Sequence, residues 1–248
     1  MDEYARYAVY YAPRGNSDLG KFGNHWLGRD PESGRLLPRP SVNSLTVQHV
    51  QQLTRSPSRY GFHGTLKPPF QLHDGFEIRA LDQALIKLAA SLGRCETGPL
   101  KLKRIGSFLA LCPTENQTML YALAEKCVRE LDQFRQSANA ADMERRRVKG
   151  LSERQDRYLV EWGYPYVLDE FRFHLTLSNV LDPEKLKILE DRLNGLVRDI
   201  CRAPFVIDQI CLFGDPGNGA PFRLLKRYGL GERDLRIKQT PVMAQRSA

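Results

Sequence analysis

Apolar residues recur at helical spacing in three stretches of the chain. Ile78, Leu81, Leu85, Leu88 and Leu92 predict an amphipathic helix over about 76–92. Leu120, Leu123, Cys127 and Leu131 predict a second over roughly 117–134. Leu186, Leu189, Leu193, Leu196 and Ile200 predict a third to about 201, opened by Asp182-Pro183 as cap and first-turn proline. Ser152-Glu153-Arg154-Gln155 has the form of a capping box for a shorter helix that Gly163 would end. Elsewhere the pattern is that of strands: 8–12, 59–66 (stopped by Pro68-Pro69), 100–112 with a turn near Gly106, 171–180, and 204–213 with 221–228 folding back on it. Glycine and proline punctuate 14–58, which reads as a long surface insertion with one or two short helices, one near 44–53. Residues 137–150 are polar and arginine-rich, and a polar tail covers about 232–248.

The order of these elements repeats. A strand carrying His-x-Thr, an amphipathic helix and an apolar strand occur from His63 onward and again from His174. The expected architecture is α+β: a single domain of two pseudo-symmetric lobes, each an antiparallel sheet with outer helices, joined around 113–170 and facing across a cleft.

The repeated strands have distinct faces. Alternation puts Phe171, Phe173, Leu175 and Leu177 on one side and Arg172, His174, Thr176 and Ser178 on the other. The first copy divides likewise, with Tyr60, Phe62 and Leu66 inward and Arg59, His63, Thr65 and Lys67 outward. If the polar faces meet, two imidazoles, two hydroxyls and several cations line one cleft, a set suited to phosphoryl chemistry. A neutral imidazole can deprotonate an attacking water or hydroxyl and an imidazolium can protonate a leaving alkoxide. Thr65 and Thr176 would donate to phosphate oxygens, and Lys67 and Arg172 would neutralise developing charge. Arg59, Tyr164, Tyr166 and Arg29 are candidate residues of the substrate rim. One His-x-Thr is a weak signal, whereas two copies on strands with matching faces are a much stronger one.

These paired motifs resemble the 2H phosphoesterase superfamily. The strings Arg59-Tyr60-Gly61-Phe62-His63-Gly64-Thr65-Leu66-Lys67-Pro68-Pro69-Phe70 and Glu170-Phe171-Arg172-Phe173-His174-Leu175-Thr176-Leu177, with Trp26-Leu27-Gly28-Arg29-Asp30, are similar to a bacterial branch encoded beside phosphonate-utilisation genes. The resemblance implies metal-independent hydrolysis of a cyclic phosphodiester of a small sugar or nucleotide, without a cofactor, by His63 and His174 as the proton-transfer pair. Through genomic association it suggests 5-phosphoribosyl 1,2-cyclic phosphate. Gly64 stands where alanine or another small residue is expected.

The chain has 248 residues and a formal net charge of +8, which favours anionic partners. A small phosphorylated metabolite or cyclic nucleotide is the expected partner, ahead of RNA, and the chain is expected to be a cytoplasmic monomer without membrane association. The alternatives are an enzyme acting on 2′,3′-cyclic RNA ends and a non-catalytic module for a phosphometabolite or RNA. The run 144–149 could meet RNA phosphates but reads better as a solvated helix face. Five cysteines without a Cys-x-x-Cys pair argue against a disulfide framework or zinc knuckle. His25, His49 and His73 lack a partner motif, and Tyr60 and Trp162 read better as core than as stacking platforms. No full phosphate-loop pattern occurs.

Overall fold

The computed structural model describes residues 4–42, 45–148 and 150–231. Among the described residues, eight strands form two antiparallel sheets. The first joins β2 (Gly64–Phe70), β1 (Arg6–Tyr11), β7 (Gln209–Asp215) and β8 (Arg223–Gly229) in that order. The second joins β5 (Leu175–Thr176), β4 (Phe108–Pro113), β3 (Cys95–Ile105) and β6 (Pro204–Ile207). The middle of the chain therefore builds one sheet and its two ends build the other. The segment expected as one strand over 204–213 is split at Asp208, where the chain passes from the second sheet to the first.

Each His-x-Thr strand is the edge of its sheet. An edge position explains why β2 runs through Pro68 and Pro69, which were expected to stop it: proline withholds no ladder donor where no neighbour needs one. It begins later than expected because 55–60 is helical. The second motif strand pairs over Leu175–Thr176 alone, with flanks that are extended but only sparsely bonded, such as Leu177 N to Leu109 O at 2.8 Å.

The helices follow the leucine stripes, except that the third ends at Val197 and leaves Leu196 exposed. α4 (Ile78–Ser91), α5 (Thr118–Glu130) and α8 (Pro183–Val197) bury Leu81, Leu85 and Leu88, Leu120, Leu123 and Cys127, and Leu186, Leu189 and Leu193. α7 (Glu153–Trp162) carries both halves of the predicted capping box, and Gly163 ends it in the left-handed conformation at φ 71°. α6 (Ala140–Arg147) takes up the arginine-rich segment. Cys95, Cys112, Cys127 and Cys211 are buried as small apolar groups.

The 14–58 segment is more ordered than a loop. It holds α1 (Asp18–Leu27), α2 (Val47–Leu53) and α3 (Arg55–Tyr60), the first two capped by Ser17 and Thr46. Its glycines suggested irregular chain, yet Gly23 lies inside α1 because the Phe62 ring presses on it: an added Cβ would meet that ring at 1.9 Å. Trp26 is fully buried and donates Nε1–H to Leu177 O at 2.7 Å, tying the segment to the second motif strand. No helix among the described residues is long and apolar enough to cross a membrane. The expected tail at 232–248 lies outside the described residues.

Candidate active site

The edge strands β2 and β5 place His63, Thr65, His174 and Thr176 around one cavity of about 420 Å³. Each histidine directly precedes its strand. Each also bonds backwards: Nδ1 of His63 lies 2.9 Å from Gly61 O, and Nδ1 of His174 lies 2.8 Å from Arg172 O. A carbonyl only accepts, so in both rings Nδ1 carries the proton and Nε2 is the free nitrogen. The Thr65 hydroxyl lies 3.4 Å from Nε2 of His63.

The surroundings of His63 are aromatic. Tyr10 stacks on it with centroids 4.0 Å apart and planes at 28°. Ala8, Tyr10, Ala12, Cys211, Phe213, Phe222 and Leu224 form a small apolar cluster on this face of the first sheet, with Tyr60 against it. Burial pushes the His63 pKa down to about 4, the Gly61 carbonyl opposes the shift, and the nearby His174 adds to it. The His174 pKa is lowered by burial and partly restored by its bond to Arg172 O. Phe108 flanks that ring at 5.6 Å.

Arg6, Arg146, Ser56, Ser178 and Asn179 also line this cavity, and among the described residues no Asp or Glu does. The Ser178 hydroxyl is committed to the chain, accepting from Leu109 N at 3.0 Å and donating to Asn179 O at 2.8 Å. A second chamber of about 470 Å³ shares Thr65, Pro68, Phe108, Tyr164 and His174 with the first. Its remaining wall is mostly apolar, with Leu66, Ile105, Tyr166, Val167 and Phe171, and with Arg172, Gln155 and Glu170 as its polar groups. The two chambers form one cleft: a polar half at the histidines and an apolar half beside it.

Among the other expected site residues, Tyr164, Tyr166 and Arg172 lie along the cleft. Lys67 does not. It is 1% exposed, and Nζ reaches Val128 O at 3.0 Å and Asp132 Oδ1 at 3.1 Å. The register explains the difference. Tyr10 pairs with Thr65 and the next residue back, Val9, pairs with Lys67, so Leu66 is a bulge. The extra residue turns Lys67 to the core face, against α5. Arg59 is also elsewhere, bonded to Asp215 at 3.0 Å and to the carbonyls of Gly219 and Ala220 at 3.2 Å. Arg29 is buried and donates to the carbonyls of Ser58, Arg59 and Phe222, which makes it a brace for the chain leading into β2.

Three site residues were missed from sequence. Tyr10 looked like an ordinary strand aromatic, Arg6 lies outside any motif, and Arg146 was read as solvated. Tyr60, expected in the core, lines the cavity. Trp162 packs under Arg129 instead of the cleft. His25 bonds to Pro38 O and His73 to Gly75 N, apart from the site.

A family model described as "Protein of unknown function (DUF1045)" matches residues 65–223. The chain belongs to the DUF1045 family. The matched span of this DUF1045 chain takes in Thr65, His174 and Thr176. Two curated relatives are named "Ribose 1,5-bisphosphate phosphokinase PhnN". That of Janthinobacterium sp. (strain Marseille) is 30% identical over 239 residues, 94% of this chain and 53% of the relative. That of Laribacter hongkongensis (strain HLHK9) is 34% identical over 223 residues, 89% of this chain and 51% of the relative. The chain thus spans about half the length of the curated relatives it matches. Among solved structures, a phosphoesterase crystal structure aligns with 92% of this chain and 99% of its own at 11% identity and a TM-score of 0.41. E. coli LigT complexed with 3′-AMP aligns over the same fractions at 12% identity and a TM-score of 0.39.

Proposed function

We propose that this chain is a phosphoesterase of the 2H type that hydrolyses a cyclic phosphodiester of a small sugar or nucleotide without a metal ion. The observation that carries this reading is the matched pair of imidazoles. Both have Nδ1 fixed on a carbonyl, both offer Nε2, and both line one cavity with two threonine hydroxyls and two guanidiniums.

In this reading His63 is the general base. It rests on Tyr10, and its lowered pKa keeps it neutral at physiological pH. Nε2 of His63 takes a proton from water as the water oxygen bonds to phosphorus. The bond to one ring oxygen of the cyclic ester breaks, and His174, charged when the anion is bound, gives that oxygen its proton. The product is a phosphomonoester, and proton exchange with solvent resets the pair. Thr65 and Thr176 donate to the non-bridging oxygens.

A phosphorylated ribose ester such as 5-phosphoribosyl 1,2-cyclic phosphate suits the site, and the relatives' name also concerns a phosphorylated ribose. Their kinase name is a poorer guide to this half. Gly15, Gly20 and Lys21 have phosphate-loop spacing, but Phe22 stands where the metal-binding hydroxyl belongs and the Gly20 amide is spent on the Ser17 side chain. An RNA-end substrate is less favoured, because Arg145 and Arg147 on α6 are engaged by Asp142 and Asp156.

The test is turnover of 5-phosphoribosyl 1,2-cyclic phosphate and of 2′,3′-cyclic AMP in excess chelator. Wild type is expected to hydrolyse at least one, and His63→Ala and His174→Ala each to lose roughly 10²–10⁴ in kcat with the fold retained. Turnover that survives both substitutions, or that chelator abolishes, would overturn the reading. A non-catalytic module would bind these esters and release them unchanged.

A further inference from the structure

Two guanidiniums in the polar chamber exceed what one phosphodiester needs. A phosphodiester carries a single negative charge, and the hydroxyls of Thr65 and Thr176 together with one imidazolium already complement it. Arg6 and Arg146 line the same chamber, and among the described residues no Asp or Glu does.

Arg146 differs from its neighbours on α6. Arg145 bonds to Asp142 at 2.6 Å and Arg147 to Asp156 at 2.7 Å. Arg146 has no ion pair among the described residues and lies over the Tyr164 ring at 5.0 Å, at the junction of the two chambers. Burial lowers its pKa, with Arg145 and Arg6 adding to the shift and Tyr164 and Asp142 opposing it. Arg6 is held from behind: Asp215, 1% exposed, takes its Nε and Nη2 at 3.0 and 2.5 Å. The same carboxylate also takes Arg59, so one buried negative charge faces two cations before Arg146 is counted. Cations gathered this way with only partial counter-charge are costly unless an anion joins them.

We infer that Arg6 and Arg146 form a second anion subsite, which binds a non-reacting phosphomonoester on the same substrate whose cyclic ester lies between His63 and His174. This deepens the proposed function and rests on it for the position of the reacting ester. Asp215 fixes Arg6, and the Tyr164 ring fixes Arg146, so both present donors with little rotamer freedom to lose. The subsite selects substrates with two phosphoryl groups over those with one.

Binding tests the subsite separately from catalysis. Calorimetric titration with adenosine 3′-phosphate and with adenosine 3′,5′-bisphosphate should show the bisphosphate binding roughly 10- to 100-fold tighter to wild type, the range of a charged hydrogen-bonded contact. Arg146→Ala should bring that ratio close to one and Arg146→Lys should leave it intermediate. Equal affinities in wild type, an unchanged ratio in Arg146→Ala, or no binding of either nucleotide would overturn the subsite. The turnover ratio of 2′,3′-cyclic AMP with and without a 5′-phosphate should follow the same order. A binding preference without any hydrolysis would leave the subsite and remove the esterase reading. Hydrolysis without a preference would do the reverse.

Discussion

The ring of Phe173 fills the space where a Cβ on Gly64 would stand. An added Cβ would meet two ring atoms at 2.3 and 2.4 Å. Gly64 follows His63 and Phe173 precedes His174, so this contact joins the two motif segments next to their imidazoles. It accounts for glycine at a position where alanine was expected.

Gly64→Ala is therefore expected to overpack the junction, at a cost of about 1–3 kcal/mol, and to disturb the spacing of the pair. Thermal unfolding should show the loss, and kcat should fall more than KM rises. Phe173→Leu in the same chain should recover part of both. A Gly64→Ala protein with wild-type Tm and kcat would show that the contact does not set the geometry.

Lys67 makes the opposite case, a motif residue that the fold takes out of the site. Its ammonium and Arg135 share Asp132, whose pKa they hold below the ordinary value against the effect of burial. Lys67→Met should cost about 2 kcal/mol, less than a fully orphaned buried charge because Arg135 remains. Below the unfolding range, kcat/KM should stay within about threefold of wild type. A 100-fold loss of kcat/KM in folded protein would return Lys67 to the site.

Alternation along the second motif segment was legible because its apolar residues each occupy every other position, which leaves no doubt about which face is buried. The first segment hid a bulge at Leu66, and a bulge follows from pairing with β1, which sequence does not display. Arg29 and Arg59 were read as rim candidates because their partners are carbonyls and a carboxylate far along the chain. Arg146 looked solvated because the helical pattern says nothing of Tyr164 beneath it. The leucine stripes and the Ser152 capping box were readable because they are local. Of the helices in 14–58, the one near 44–53 was readable, whereas α1 was not, since Gly20 and Gly23 serve packing there.

Arg29 should behave as a structural brace. Its fork joins three carbonyls at 2.9–3.3 Å, and burial lowers its pKa to about 10. Lysine cannot reproduce that planar set. Arg29→Lys is expected to lose about 2–4 kcal/mol in denaturant unfolding, on the basis of one or two charged hydrogen bonds forfeited. Equal stability would mean that the carbonyls are satisfied by other means.

The depressed pKa of His63 makes stability depend on pH in a defined window. Its ordinary value is 6.5 and its folded value is about 4. Between these values the unfolded chain binds a proton that the folded chain refuses, so stability falls as pH drops from 6.5 and the loss is complete near pH 4. A shift of this size corresponds to about 3 kcal/mol for a fully buried ring. His63 keeps some exposure, so a loss on the order of 1–2 kcal/mol is expected. His174 acts in the same direction, whereas the lowered carboxylates of Asp132 and Asp156 act chiefly below pH 4. The His63→Asn variant removes one titration and leaves the others. Its Tm should decline less steeply than that of wild type from pH 6.5 to 4, by a few degrees over the window. Phosphate should narrow the gap, because an anion in the cavity raises the imidazole pKa towards its ordinary value. Parallel Tm curves for the two proteins would mean that His63 titrates freely, and its role as a base kept neutral by its surroundings would fall with that result.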